Sequence, residues 1–470
     1  MRSRPTPFAC IVNAASSMLA ACVFVAFFAP LATAAEGAKP NVIVILADDL
    51  GYHDVGFNGC QDIPTPNIDR IAREGTRFTN GYVSHPYCSP TRAGTLTGRY
   101  QQRFGHENNP AYLPDDSSVG LPLDQVTVAD VMRSAGYATG AVGKWHLGAH
   151  EVFHPNRRGF DEYVGFIGGG HDYFTSGQSA AEYQVPILRN DRETQLTEYV
   201  TTLIGREAAS FVEAHRDAPF FLYVAFNAPH TPQMAPEEYL ARFASVTDKK
   251  RQLYSAMVAA LDDAVGAVLD KLDERGLAND TLVFFFSDNG GPIAVNASDN
   301  SPLRGAKGDV FEGGVRVPFA ARWPARVKAG SVNDNMVICL DVLPTAAAAA
   351  GANLPEGVQL DGVNLLPTML GESTAPPHDR LFWRSSSRGV FAVREGDLKL
   401  VGGESPQLML FDLASDVGEQ RDLAGERPEE VRRLKAIYDA WDDGLVPPRW
   451  SNPRGARAKK AAPKRGKKVA

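Results

Sequence analysis

A cysteine, a proline and an arginine alternate in Cys88-Ser89-Pro90-Thr91-Arg92, and the same stretch runs on to Leu96-Thr97-Gly98-Arg99. Other groups able to do polar chemistry stand far off in the chain. Asp48 and Asp49 are adjacent, and Asp288 precedes Asn289. Lys144 and His146 are two apart between Gly143 and Gly148, His230 lies between Pro229 and Pro232, and Lys307 sits in the glycine-rich run 303–308. Asp48, Asp49, Asp288 and Asn289 offer only oxygen donors. Such a set suits calcium or magnesium and disfavours zinc, which prefers some nitrogen or sulfur. Lys144 and His146 point the same way on an extended backbone. Taken singly, each group has a plainer reading. An Asp-Asp pair caps a turn or helix, a free cysteine is a small buried hydrophobe, a loop lysine is solvated, and a histidine between prolines belongs to a turn.

The elements that must position these residues argue for the chemical reading. Residues 42–46, 220–226 and 282–286 are short runs of β-branched and aromatic residues, and 138–142 is a weaker one. Continuous apolar runs of this length read as strands covered on both faces. Helical patterns at 67–73, 126–134, 199–214 and 253–275 lie between them, the last with Met257, Leu261, Val265, Val268 and Leu272 on one stripe. The alternation predicts a mainly parallel, doubly wound α/β sheet. Asp48-Asp49, Lys144 with His146, His230, and Asp288-Asn289 each stand just past a strand. Ligands of open α/β sheets bind at the carboxyl ends of the strands. An unpaired carboxylate ending a buried strand is costly, and two such ends favour a metal.

The Cys-x-Pro-x-Arg frame followed by Leu-Thr-Gly-Arg resembles the signature of the type I sulfatases of the alkaline phosphatase superfamily, in which that cysteine is oxidised to formylglycine. Gly143-Lys144-Trp145-His146-Leu147-Gly148, the Lys307 loop with the run 311–318, and the stretches 410–413 and 419–423 are similar to further blocks of the family. The resemblance covers residues from about 40 to 423. Thr91 fills a slot often held by serine or alanine. The resemblance implies an alkaline-phosphatase-like mixed sheet with a small C-terminal subdomain, and a calcium ion (magnesium as the alternative) on Asp48, Asp49, Asp288 and Asn289 beside modified Cys88. It further implies that Arg92 steadies the aldehyde hydrate and that Lys144 contacts hydrate and sulfate. His146 is then the base that releases sulfate, and His230 and Lys307 bind sulfate and protonate the leaving alcohol. His171 and Asp172, after Gly168-Gly169-Gly170, resemble a sugar-contacting element of carbohydrate-directed members. The implied partners are a sulfated saccharide and a formylglycine-generating enzyme. Two other functions are weighed against this one: a phosphate or phosphonate ester hydrolase of the same superfamily, and a sulfated-glycan-binding protein with Cys88 unmodified.

Composition agrees with a globular protein: 470 residues, 44% hydrophobic and 22% charged, with a net charge of -7 that argues against a nucleic-acid partner. Arg2 and Arg4, the apolar run ending near Leu31 and Ala32-Thr33-Ala34 read as an export signal over 1–34, sending the chain to the periplasm or outside the cell. Leu19-Ala20-Ala21-Cys22 also resembles a lipoprotein box, but the apolar run continues past Cys22. Asn13, Ser16 and Ser17 interrupt that run, so stable membrane insertion is not expected. Cys60 and Cys339 are left over and free to pair. The catalytic domain is placed at 35–375. A C-terminal subdomain at 376–448 follows, with short strands at 381–384, 389–394, 398–401 and 408–413 and a helix at 427–441 opened by Pro428. A basic tail, expected to be disordered, occupies 449–470.

Overall fold

Three all-apolar runs become the fully buried strands at the centre of the main sheet, because a strand covered on both faces has no polar position to alternate with. In this computed structural model the described residues are 1, 39–177, 179, 181–403 and 407–451. The export signal, the Cys22 box and nearly all of the basic tail lie outside them. From residue 39 onward the described residues belong to one compact unit, with no division at 375.

The strands are β1 (Asn41–Ala47), β2 (Thr76–Tyr82), β3 (Ala138–Lys144), β4 (Glu162–Phe166), β5 (Ile187–Arg189), β6 (Arg192–Thr194), β7 (Phe220–Ala225), β8 (Thr281–Ser287), β9 (Phe319–Arg322) and β10 (Ser331–Ile338). They form one ten-stranded sheet in the order β10-β2-β9-β8-β1-β7-β3-β4-β5-β6. Strands β8, β1, β7, β3 and β4 run parallel, β9 opposes both its neighbours, and β5 opposes β4. The sheet is therefore mixed, with the four chemistry-bearing strands contiguous at its centre.

Alternation divides the core. Val42, Val44 and Leu46 of β1 face one layer, with Ala93, Leu96, Val342 and Leu343 from the helices Cys88–Thr97 and Val342–Ala350. Ile43, Ile45 and Ala47 face the other, with Met257, Leu261, Val265, Val268 and Leu272 from the helix Lys249–Glu274. That helix is long and apolar enough to cross a membrane, but here it is a core helix. It begins at Asp248, whose side chain caps Lys250 and Arg251, several residues before the apolar stripe. Cys60 and Cys339 are both buried and free.

Strands β11 (Arg380–Ser385), β12 (Val390–Glu395), β13 (Leu398–Gly402) and β14 (Met409–Asp412) form a separate antiparallel sheet in that order. Val393, Leu400 and Leu410 pack on Leu434 and Tyr438 of the helix Pro428–Asp442. The opposite face, with Trp383, Ala392, Val401 and Phe411, joins the main core. An ionic knot also crosses this junction. Lys399 Nζ lies 2.7 Å from Glu312 Oε1 and 3.0 Å from Glu419 Oε1, all three fully buried. Tyr82 Oη donates to Glu312 Oε2 at 2.6 Å, and Arg316 Nη1 lies 3.3 Å from the same oxygen. Burial alone would raise the Glu312 carboxyl, but Lys399, Arg316 and Arg394 outweigh it and hold it at about 2. Its stabilisation is present above the ordinary carboxyl value of 4.5 and is lost as pH falls from there toward 2. Glu312→Gln leaves Lys399 and Arg316 short of a buried partner. It is expected to cost about 3 kcal/mol at pH 7 and to make stability less steeply dependent on pH below 4.5, as read from thermal melts across that range.

Candidate active site

Strand pairing assembles the acidic groups. Ala47 of β1 and Ser287 of β8 are partners in register, so Asp48 and Asp288 leave adjacent strands at one level, and the Asp288 amide donates to the Ala47 carbonyl at 3.0 Å. Ligand atoms of Asp48, Asp49, Cys88 and Asp288 all lie within 4.8 Å of one another. Asn289 Nδ2 donates to Asp49 Oδ1 at 2.7 Å, while Asn289 Oδ1 is buried with no partner among the described residues. An orphaned buried carbonyl oxygen beside three buried carboxylates is a fit for a hard divalent cation. The left-handed backbone of Asp49, φ 67°, turns it back toward the cluster. Such strain in a non-glycine residue persists only where its surroundings over-determine it.

Cys88 is the first residue of a ten-residue helix whose side chains are all buried. The N-terminal end of a helix favours negative charge. Cys88 Sγ lies 3.5 Å from Asp48 Oδ1 and 3.1 Å from Lys307 Nζ. Burial first, then the Asp288 and Asp48 carboxylates, push its thiol well above the ordinary value. One turn on, Arg92 donates to Asp288 Oδ2 through Nε at 3.1 Å and Nη2 at 2.8 Å, and to the Lys144 carbonyl at 3.2 Å. Lys144 Nζ donates to Asp48 Oδ2. Lys307 Nζ reaches Asp49 Oδ1 at 2.5 Å and keeps 14% of its side chain exposed. Burial would raise both aspartates. Lys144, His230 and Arg92 nevertheless hold Asp48 below its ordinary value, and Lys307 and His230 do the same for Asp49.

Lys144 is the last residue of β3 rather than a residue beyond it, and the backbone is not extended through His146, whose φ is 59°. Ser89 fixes that conformation: its hydroxyl donates to the His146 carbonyl at 2.6 Å and lies 2.6 Å from His106 Nε2. Burial, helped by Lys144 and Arg92, lowers the His146 imidazole well below its ordinary value, and its Nδ1 has no partner among the described residues. His230 Nδ1 lies 2.6 Å from the Thr231 carbonyl, which turns Nε2 inward to 3.7 Å from Asp49 Oδ2. Burial lowers His230 too, with Asp48 and Asp49 opposing.

Ten of the twelve residues singled out in the sequence converge here. His171 and Asp172 do not. His171 is fully buried, its ring nitrogens 2.5 Å from the Asp172 carbonyl and 2.8 Å from the Val185 carbonyl. The Asp172 carboxylate accepts from the amides of Phe174 and Thr175 at 2.8 and 2.9 Å. Both side chains are engaged by the loop's own backbone. The preceding glycines serve close packing: a methyl group on Gly169 would stand 2.5 Å from His146 Nε2. Sequence reasoning missed the Ser89–His106 brace, and Tyr183, whose ring lies 6.2 Å from that of His230. The Ser between Cys88 and Pro90 was a visible signal for the brace; Tyr183 belongs to no motif.

Together these groups form a buried cluster of three carboxylates, three cations and a helix N-terminus, a fitting site for an ester hydrolase of alkaline-phosphatase-like fold. The Sulfatase family pattern matches residues 40–352, and a pattern described as "N-sulphoglucosamine sulphohydrolase, C-terminal" matches 306–436. The chain belongs to the sulfatase family and is by that membership a sulfuric ester hydrolase. It is 36% identical to arylsulfatase A of Bos taurus over 86% of this chain and 89% of the relative. It is 35% identical to N-acetylgalactosamine-6-sulfatase of Homo sapiens over 88% of each. A crystal structure of Ps i-CgsB in complex with k-i-k-neocarrahexaose superposes with a TM-score of 0.84 at 37% identity, covering 90% of this chain and 98% of that one.

Chelator-stripped protein is expected to bind a single calcium ion and to melt at a higher temperature when it does. Asn289→Ala should weaken that binding about tenfold or more while the metal-free protein keeps its fold. Calorimetric titration with calcium chloride checks both.

Proposed function

We propose that this chain is an exported carbohydrate sulfatase whose Cys88 is matured to formylglycine and whose Asp48, Asp49, Asp288 and Asn289 hold calcium. The observation that carries the reading is Cys88 at the head of a buried helix, 3.1 Å from Lys307 Nζ and 3.5 Å from Asp48 Oδ1. A thiol pushed up by burial and carboxylates is a poor nucleophile at neutral pH. Its conversion to an aldehyde is an oxidation and calls for a maturation enzyme. The saccharide class rests on the relatives, one named N-acetylgalactosamine-6-sulfatase and one crystallised with a neocarrahexaose. Export rests on the basic and apolar N-terminal segment.

Bound calcium would supply Lewis acidity toward the sulfate oxygens, and a hydrated formylglycine would supply a hydroxyl nucleophile with a second hydroxyl for its release. The rest is the work of this chain's side chains. A sulfate ester is an anion that repels attack. Arg92, Lys144 and Lys307 set fixed positive charge where negative charge grows, in a site with little water to rearrange. His146, with no partner at Nδ1 among the described residues, takes up a proton at position 88. His230, its Nδ1 occupied by the Thr231 carbonyl, presents Nε2 to the leaving alcohol. Lys307 shares that side of the pocket and is raised well above its ordinary value, because Asp49, Cys88, Asp48 and Asp288 outweigh its burial.

Sulfate and phosphate esters of one alcohol separate this reading from a phosphate or phosphonate hydrolase. Matured enzyme is expected to turn over the sulfate ester at least 100-fold faster, and a preference for phosphate overturns the assignment. His230→Ala should slow saccharide sulfates by about 100-fold or more but aryl sulfates, whose alcohols leave without a proton, by much less. Equal losses on both substrates would remove His230 from the leaving-group side.

A further inference from the structure

Between β4 and β5 the chain leaves the sheet and carries the short helical turn Glu182–Gln184 before it returns. That turn is held from below. The Asp172 amide donates to the Tyr183 carbonyl at 2.9 Å, Glu182 Oε1 accepts from the Gly169 amide at 2.7 Å, and His171 Nε2 lies 2.8 Å from the Val185 carbonyl. The bare backbone of Gly169 and Gly170 is sandwiched in this arrangement. A methyl group on Gly169 would meet His146 Nε2 at 2.5 Å and Glu182 Oε1 at 2.9 Å, and one on Gly170 would meet Tyr183 Cζ at 2.7 Å. His171, Asp172 and the glycines therefore hold the turn that carries Tyr183 against the Gly169–Gly170 backbone.

On its other side the Tyr183 ring stands 6.2 Å from the His230 ring at 67°. Burial and then Glu182 push its hydroxyl up to about 12, with Lys307 opposing, and that hydroxyl has no hydrogen-bond partner among the described residues. The ring is only half-buried. A partly exposed aromatic ring with a free polar tip, held beside the His230 ring, is a surface for a ligand that is apolar on one side and hydroxylated at its rim.

Resting on the carbohydrate-sulfatase reading above, we infer that Tyr183 is a specificity-determining residue: its ring is the platform for the pyranose that carries the sulfate, on the leaving-group side next to His230 and Lys307. The anion pocket itself lies deeper, among Arg92, Lys144 and the acidic cluster, and does not need this ring.

The test compares matured wild type, Tyr183→Phe and Tyr183→Ala on a panel of sulfated galactose, N-acetylgalactosamine and glucosamine saccharides, with inorganic sulfate as a competitive inhibitor. Tyr183→Ala is expected to raise KM for the preferred saccharide about tenfold and leave the Ki of sulfate unchanged; Tyr183→Phe, which keeps the ring, raises KM less. An unchanged KM in Tyr183→Ala overturns the assignment. So does a Ki that rises by the same factor as KM, because Tyr183 would then merely prop the anion pocket. A wild type inactive on every saccharide but active on aryl sulfates overturns the carbohydrate reading and this inference with it. An active wild type with unaffected variants overturns the inference alone.

Discussion

Buried charge is the constraint on which this molecule is built. Asp48, Asp49 and Asp288 stand at the ends of two strands with almost no exposure, where unpaired carboxylates would each be strongly destabilising. The fold answers with Arg92 on the helix behind them, Lys144 at the end of the next-but-one strand and Lys307 on a distant loop. Each cation is itself held by the acids. This mutual compensation pins the acidic cluster and the three cations around position 88 to one another, so none can drift without exposing an unpaired charge. It also sustains the left-handed backbone at Asp49, a conformation that local preference would not choose.

The small C-terminal sheet belongs to the same scheme. Lys399 of β13 and Glu419 beyond β14 grip Glu312, and the Glu419 carboxylate accepts from the Glu312 amide at 2.7 Å. Arg304 Nη1 donates to the Glu419 carbonyl at 2.7 Å, and the Arg304 carbonyl accepts from Gly313 at 2.7 Å. The loop that carries Lys307 lies between these two anchors. The subdomain is thus a buttress for one lysine as well as a share of the core, which explains why no boundary separates it from the catalytic sheet.

The sequence made legible whatever burial leaves no choice about. Strands β1, β7 and β8 stood out because both faces are covered, and their acidic ends stood out because carboxylates do not belong there. The three strands on the far side of β8 did not. Half of β10 alternates with solvent, β9 is only four residues long, and β2 mixes Thr, Arg and Asn. The helix Cys88–Thr97 was hidden differently. Its Ser, Pro, Gly and three Thr are poor helix formers, and burial of every side chain holds it. The motifs named ten residues of the site, yet motif and chemistry alone could not tell that His171 faces backbone carbonyls. They gave no hint of Tyr183, which reaches the pocket only through the path of a long excursion.

The central claim is that position 88 is the reacting group and reacts only after its sulfur is gone. Preparations made with graded amounts of a formylglycine-generating enzyme can be compared by mass spectrometry of the peptide holding residue 88 and by turnover of one sulfate ester. The account predicts turnover proportional to the converted fraction, passing through zero for the unconverted thiol. Full turnover from protein in which residue 88 is still cysteine would contradict it.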